Sequence, residues 1–203
     1  MSGRSKIRGL TLRLLACLVA GGLIGLLFPP YDWGGGVWVC LLPVFVALWT
    51  LDGRRGWKGF GLGWLVGFVA SLISLHWLTE VSSVGWVALS AYLAAFPAFW
   101  GMFMAKFANP WIQRGLGMEE GNIARKVREK TEGQTVDRSH WRRSAASLGF
   151  AFVAASTWCG QELLRGWLFT GFGWNTLGVA FHETPVMAQS ADLLGICGLS
   201  FLP

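Results

Sequence analysis

Residues 162–175 read Glu-Leu-Leu-Arg-Gly-Trp-Leu-Phe-Thr-Gly-Phe-Gly-Trp-Asn and close an apolar run that starts at Ser147. In lipid, charge is costly and is kept where it pairs, lines a cavity or meets a headgroup. Glu162 and Arg165 lie three positions apart, so on a helix they share a face and can pair. Gly166, Gly171 and Gly173 fall within the next few positions, a spacing that does not suit an ordinary helix and predicts an irregular turn. Non-helical backbone at membrane depth survives only where protein or a water-filled cavity surrounds it. The stretch therefore predicts a cavity rim at the outer end of a membrane helix.

The composition agrees with a bilayer as solvent. Of 203 residues, 53% are hydrophobic and 14% charged, whereas a soluble domain commits about 25% of its residues to charge. The chain carries 28 Gly and 13 Trp. Glycine lets membrane helices approach closely, and tryptophan gathers at the headgroup level. A net charge of +6 raises the question of a nucleic-acid partner. The basic residues instead fall in three clusters: Arg4 to Arg13, Arg54 to Lys58, and Lys106 to Arg143, with Arg165 standing apart. Clusters separated by apolar runs follow the positive-inside rule and disfavour nucleic acid. Cys17, Cys40, Cys159 and Cys197 all lie in apolar runs without a CxxC pair. They are expected to be packing residues, with neither a metal site nor a disulfide framework.

The expected fold is all-α, a polytopic transmembrane helix bundle with five complete spans and an incomplete sixth. Residues 10–28, 37–51, 59–79 and 84–105 predict the first four spans. The first is read as a retained anchor, because it exceeds the usual h-region of about 7–15 residues and no clear cleavage site follows. Pro29 and Pro30 end it, since proline cannot continue a helix. Pro43 and Pro97 predict kinks in the second and fourth spans. Residues 106–146 read as a basic cytoplasmic loop, within which 122–132 could form a helix on anionic lipid or stay solvated. Residues 147–203 hold the fifth span, the outward Arg/Trp/Gly loop and the start of a sixth span. That last run reaches Pro203 without a polar flank, which predicts a fragment of a larger membrane protein. The charge clusters place the amino terminus in the cytoplasm and Arg165 on the outward side.

Arg165 has two readings. It either pairs with Glu162 and snorkels to orient the helix end, or it grips a lipid phosphate or carboxylate in bidentate fashion. Thr170 and Asn175 could satisfy backbone groups of the turn. Gln189 and Asp192 read as helix-start polarity, and His76 beside Trp77 as a packed or headgroup-facing residue. No Ser-His-Asp spacing, phosphate-cradling glycine loop or activated cysteine stands out, so no catalytic residue is assigned.

Four stretches resemble the amino-terminal membrane portion of apolipoprotein N-acyltransferase. They are Phe28-Pro29-Pro30-Tyr31-Asp32-Trp33, the Gly-rich residues 61–77, residues 162–175 and residues 188–202. The resemblance implies a bacterial inner-membrane, multi-pass enzyme of lipoprotein maturation, with a nitrilase-like domain beyond the membrane helices. It implies a phospholipid acyl donor, and the amino group of an apolipoprotein's diacylglyceryl-cysteine as acceptor. The implied chemistry is ping-pong through a Cys activated by Glu and Lys, without a cofactor or metal. Those three catalytic positions have no counterpart here, so the chain alone is expected to be inactive. Arg165 and Trp174 match positions important to the family. With Glu162, Phe172 and Asn175 they form the expected substrate-binding set. Gly173 departs from the Pro commonly found before that Trp. A monomer in membrane lipid is expected. The competing reading is a non-catalytic membrane module or truncated relic, such as part of a transporter.

Overall fold

The computed structural model describes residues 3–51, 56–107 and 139–203. Every regular element among them is helical, and the chain is an all-α membrane bundle. In chain order these are α1 (Gly3–Leu26), α2 (Leu42–Trp49), α3 (Gly56–Ser74), α4 (Ser83–Leu93), α5 (Ala95–Phe107), α6 (Ser139–Trp167), α7 (Pro185–Gln189) and α8 (Ala191–Ser200). Single 3-10 turns lie at Gly34–Trp38, His76–Glu80, Leu168–Thr170 and Leu177–Phe181.

Among the described residues, three stretches are long and apolar enough to cross a membrane: Ile7–Leu26, Gly56–Ser74 and Ser83–Lys106. The last contains both α4 and α5. The chain bends between them at Ala94, one turn before Pro97. A proline ring clashes with the carbonyl four residues back, here that of Leu93, where α4 ends. Pro43 acts differently from the expected kink. It sits in the first turn of α2, where a missing N–H costs nothing, and the backbone ahead of it is a 3-10 turn. Helix α6 has 29 residues and spans about 44 Å at ~1.5 Å per residue. It begins at Ser139, whereas the sequence suggested a start at Ser147. It is not among the three apolar stretches, because Gln161, Glu162 and Arg165 dilute its C-terminal end. The proposed helix at 122–132 and the turn residues 52–55 lie outside the described residues.

Close backbone contact holds α1, α3 and α5 together. Gly59, Gly63 and Gly67 recur every fourth position on α3 and face Gly101 and Ala98 of α5 and Ala94 at the bend before it. A Cβ on Gly63 would overlap the Pro97 carbonyl and come within 3.0 Å of the Ala98 Cα. On the other side of α3, Gly21 and Gly25 of α1 lie against Val69 and Ile73. Small residues at i and i+4 let helices approach to backbone contact, where dispersion substitutes for a hydrophobic driving force. Arg13 ties α1 to the end of α2, donating through Nε to Thr50 Oγ1 at 3.2 Å and through Nη2 to the Thr50 carbonyl.

Helix α6 joins this core through aromatic contacts. Trp100 of α5 lies edge-on to Trp158 at 5.0 Å and to Phe45 at 5.5 Å. Its indole N–H donates to the Ala154 carbonyl at 3.3 Å. The face of α6 that carries Glu162 is thereby turned toward α3 and α5.

Candidate functional site: a polar cleft at the C-terminal end of α6

At the end of α6 the backbone leaves helical geometry. Phe169, Gly171 and Asn175 adopt left-handed φ values of 54°, 80° and 56°. A Cβ on Gly171 would overlap the Gly166 carbonyl, so glycine is required there for two reasons, its φ and its neighbour. The chain then doubles back, and the Phe172 N–H donates to the Arg165 carbonyl at 2.7 Å. That bond satisfies one of the carbonyls left open at a helix end.

Two side chains of opposite charge hold the returning strand of this loop. Arg165 Nη2 donates to the carbonyls of Trp174 at 2.9 Å and Asn175 at 3.2 Å. Glu162 Oε1 accepts from the Leu177 N–H and from the Trp158 indole, both at 2.9 Å. Glu162 is only 4% exposed. Of the two readings of Arg165, direct pairing is not seen: no ion pair within 4 Å joins it to Glu162, although the two groups lie near enough to interact electrostatically, and each is hydrogen-bonded to backbone. Next along, Ser200 Oγ of α8 accepts from the Gly178 N–H at 2.8 Å.

The residues expected from sequence come together. Glu162, Arg165, Phe172, Trp174 and Asn175 all line one cleft. Opposite them stand Ser71 and Ser74 of α3, with Pro97 of α5 at the floor. Trp174, 63% exposed, stacks on Trp77 with centroids 6.2 Å apart. Phe172 lies 6.3 Å from Trp174 on its other side. Trp167 and Phe169 point outward, at 81% and 75% exposure, which suits an interfacial aromatic belt. Asp192 sits in the first turn of α8, and His76 packs edge-on to Trp86 at 5.7 Å, so neither enters the cleft.

Two polar atoms in the cleft have no hydrogen-bond partner. Arg165 Nε and Gln161 Oε1 are both buried and unsatisfied. A buried unpaired group costs about 1–3 kcal/mol, more when charged, so each marks a place for a ligand or ordered water. Gln161 escaped the sequence reading. The available signal was its spacing, four residues before Arg165 and therefore on the same helix face. Trp158, the indole donor to Glu162, was likewise hidden among the belt tryptophans.

Residues 20–203 match the family described as apolipoprotein N-acyltransferase N-terminal domain. The chain belongs to that family. A Rhodopseudomonas palustris apolipoprotein N-acyltransferase is 30% identical over 202 residues, covering 94% of this chain and 31% of the relative. The Agrobacterium fabrum apolipoprotein N-acyltransferase is 27% identical, covering all of this chain and 35% of the relative. For the Geobacter metallireducens protein of that name the identity is 28%, with 93% and 31% covered. The chain thus spans about a third of the length of these relatives. The apolipoprotein N-acyltransferase match includes the last two turns of α1 and the whole cleft.

Proposed function

We propose that this chain is the membrane part of a bacterial inner-membrane acyltransferase, and that its cleft binds the acyl-donor phospholipid. In this reading the amino terminus is cytoplasmic, α6 also crosses the bilayer, and the cleft opens on the outward side of a monomer. The observation that carries the proposal is Arg165 Nε, a buried donor without an acceptor at the mouth of a membrane cleft. Nη2 is occupied by two carbonyls, so the guanidinium is held still while its Nε edge stays open to a phosphate oxygen. A preorganised guanidinium binds phosphate with little further loss of side-chain freedom. Trp174, Trp77 and Phe172 give the apolar wall along which an acyl chain lies.

The chemistry that fits the family is transfer through a thioester. A thiolate attacks the phospholipid ester carbonyl and the lysophospholipid alkoxide leaves. The amino group of the lipoprotein's diacylglyceryl-cysteine then attacks the thioester, forming an amide and returning the thiol. We assign that thiol, with its Glu and Lys, to the part of the relatives outside the matched third, because the described cysteines here are packed in apolar surroundings.

The test is a fusion of this chain to the remaining two thirds of the Rhodopseudomonas palustris relative, assayed for acyl transfer to a diacylglyceryl peptide. Arg165→Ala is expected to lower kcat/KM by about a hundredfold, the loss of a charge-assisted contact of about 3 kcal/mol. Arg138→Ala, in the basic loop, should stay within about twofold. Equal losses would remove Arg165 from the site. The 203-residue chain alone should show no transfer in lipid, and turnover by it would refute the assignment of the thiol elsewhere.

A further inference from the structure

We infer that Glu162 is a positioning residue: by accepting the Leu177 N–H it fixes the 174–177 segment against α6, which sets Arg165 and Trp174 toward the cleft, and it does not itself touch lipid. The inference rests on the lipid-binding reading only for its effect on activity.

The bonding of the segment is divided by polarity. The guanidinium takes the carbonyls of Trp174 and Asn175, and the carboxylate takes the amide of Leu177. Three of these four consecutive residues, Trp174, Asn175 and Leu177, are therefore tied to one face of α6, by a guanidinium at one end and a carboxyl group at the other. Nothing regular could replace these ties, because Asn175 at φ 56° breaks any helical ladder across the segment. Neither side chain could exchange roles with the other. A carboxylate only accepts, and a guanidinium only donates.

Direct contact between Glu162 and a ligand is disfavoured by the same geometry. Oε1 already receives two donors at 2.9 Å, which fills its lone-pair directions. The Ser200 hydroxyl lies against the same carboxyl group. Trp158, which donates to Glu162, is itself buried against Trp100. The anion is thus enclosed by three partners from α6, the following turn and α8. Arg165, by contrast, lines the cleft and keeps an unpartnered Nε. One group of the pair holds three neighbours and the other keeps a donor in reserve.

The discriminating variants are Glu162→Gln and Glu162→Ala, made in the full chain in lipid nanodiscs and read by amide hydrogen exchange. Glutamine keeps an acceptor oxygen for Leu177 and Trp158 and removes only the charge. Exchange at the Leu177 amide should stay within about threefold of the parent in Glu162→Gln and rise by about tenfold or more in Glu162→Ala, as local opening becomes easier. Amides of α1 and α3 should exchange as in the parent in both variants, which separates loss of the tie from loss of the fold. In the fusion described above, Glu162→Ala should raise KM for phospholipid more than it lowers kcat, and Glu162→Gln should restore most of the loss. Glu162→Gln as damaging as Glu162→Ala would overturn the inference, since a charge rather than an acceptor would then be needed. So would unchanged protection of Leu177 in Glu162→Ala. If the exchange result holds while every fusion is inactive, the positioning role stands and the acyl-transfer reading falls.

Discussion

The α1–α3–α5 core and the C-terminal end of α6 solve the same problem, a membrane interior without water, in opposite ways. In the core, glycines at every fourth position of α3 bring backbones together, so that close packing holds α3 to α5 and backbone hydrogen bonds stay within each helix. At the end of α6 the helix is abandoned, and freed backbone groups are paired with buried ionic side chains instead. The first solution depends on the absence of atoms, the second on specific donors and acceptors. A core of the first kind resists added volume and ignores charge. A turn of the second kind tolerates volume at its exposed aromatics but not the loss of a hydrogen-bonding group. The contrast supports the function proposed for the second region, where buried bonding capacity is left over at Arg165 Nε and Gln161 Oε1.

The largest expected effect breaks the core. Gly63→Leu puts a branched side chain where even a Cβ overlaps the Pro97 carbonyl, and should cost about 3 kcal/mol or more, the upper range for overpacking. Thermal unfolding of the detergent-solubilised chain, followed by gel filtration, reads this as a large fall in midpoint or loss of monomer. Gly171→Ala tests the turn. With φ at 80° and the Gly166 carbonyl in the way, it should cost about 1–3 kcal/mol. Here the loss should appear as faster exchange over residues 168–177, with α3 unchanged; equal loosening of both would erase the distinction between the regions. Gly61→Ala sharpens the comparison at its weakest end. A Cβ there meets nothing within 4 Å, so unfolding should be unchanged or improved by up to about 1 kcal/mol. A fall like that of Gly63→Leu would show that glycine matters along all of α3 and not on its packed face.

Much of the core was legible because apolar length and glycine spacing act locally. Gly59, Gly63 and Gly67 can be read as one stripe from their interval alone, and the clusters of Arg and Lys mark the ends of runs. Helix α2 was less legible, since Pro43 reads as a kink or a start depending on where the preceding residues stop being helical. The site was legible in membership but not in wiring. Residues Glu162, Arg165, Phe172, Trp174 and Asn175 could be grouped because they are close in sequence and chemically unusual for a membrane. That Glu162 and Arg165 bind backbone amides and carbonyls rather than each other depends on how residues 168–177 return. This return path is set by left-handed residues that no spacing rule reports. Ser200 and Trp158 were hidden for a further reason: a serine and an indole in an apolar run look the same whether or not a buried carboxylate lies within reach.

The most direct measurement of the cleft's role uses a phospholipid with a photoreactive group next to its phosphate, in nanodiscs holding the 203-residue chain. After illumination, adducts are located by mass spectrometry. Adducts should concentrate in residues 158–177 and fall severalfold in Arg165→Ala, while labelling of α1 stays unchanged. Labelling spread evenly over the lipid-facing helices, or concentrated at the cleft but indifferent to Arg165→Ala, would contradict a phosphate site built on that guanidinium.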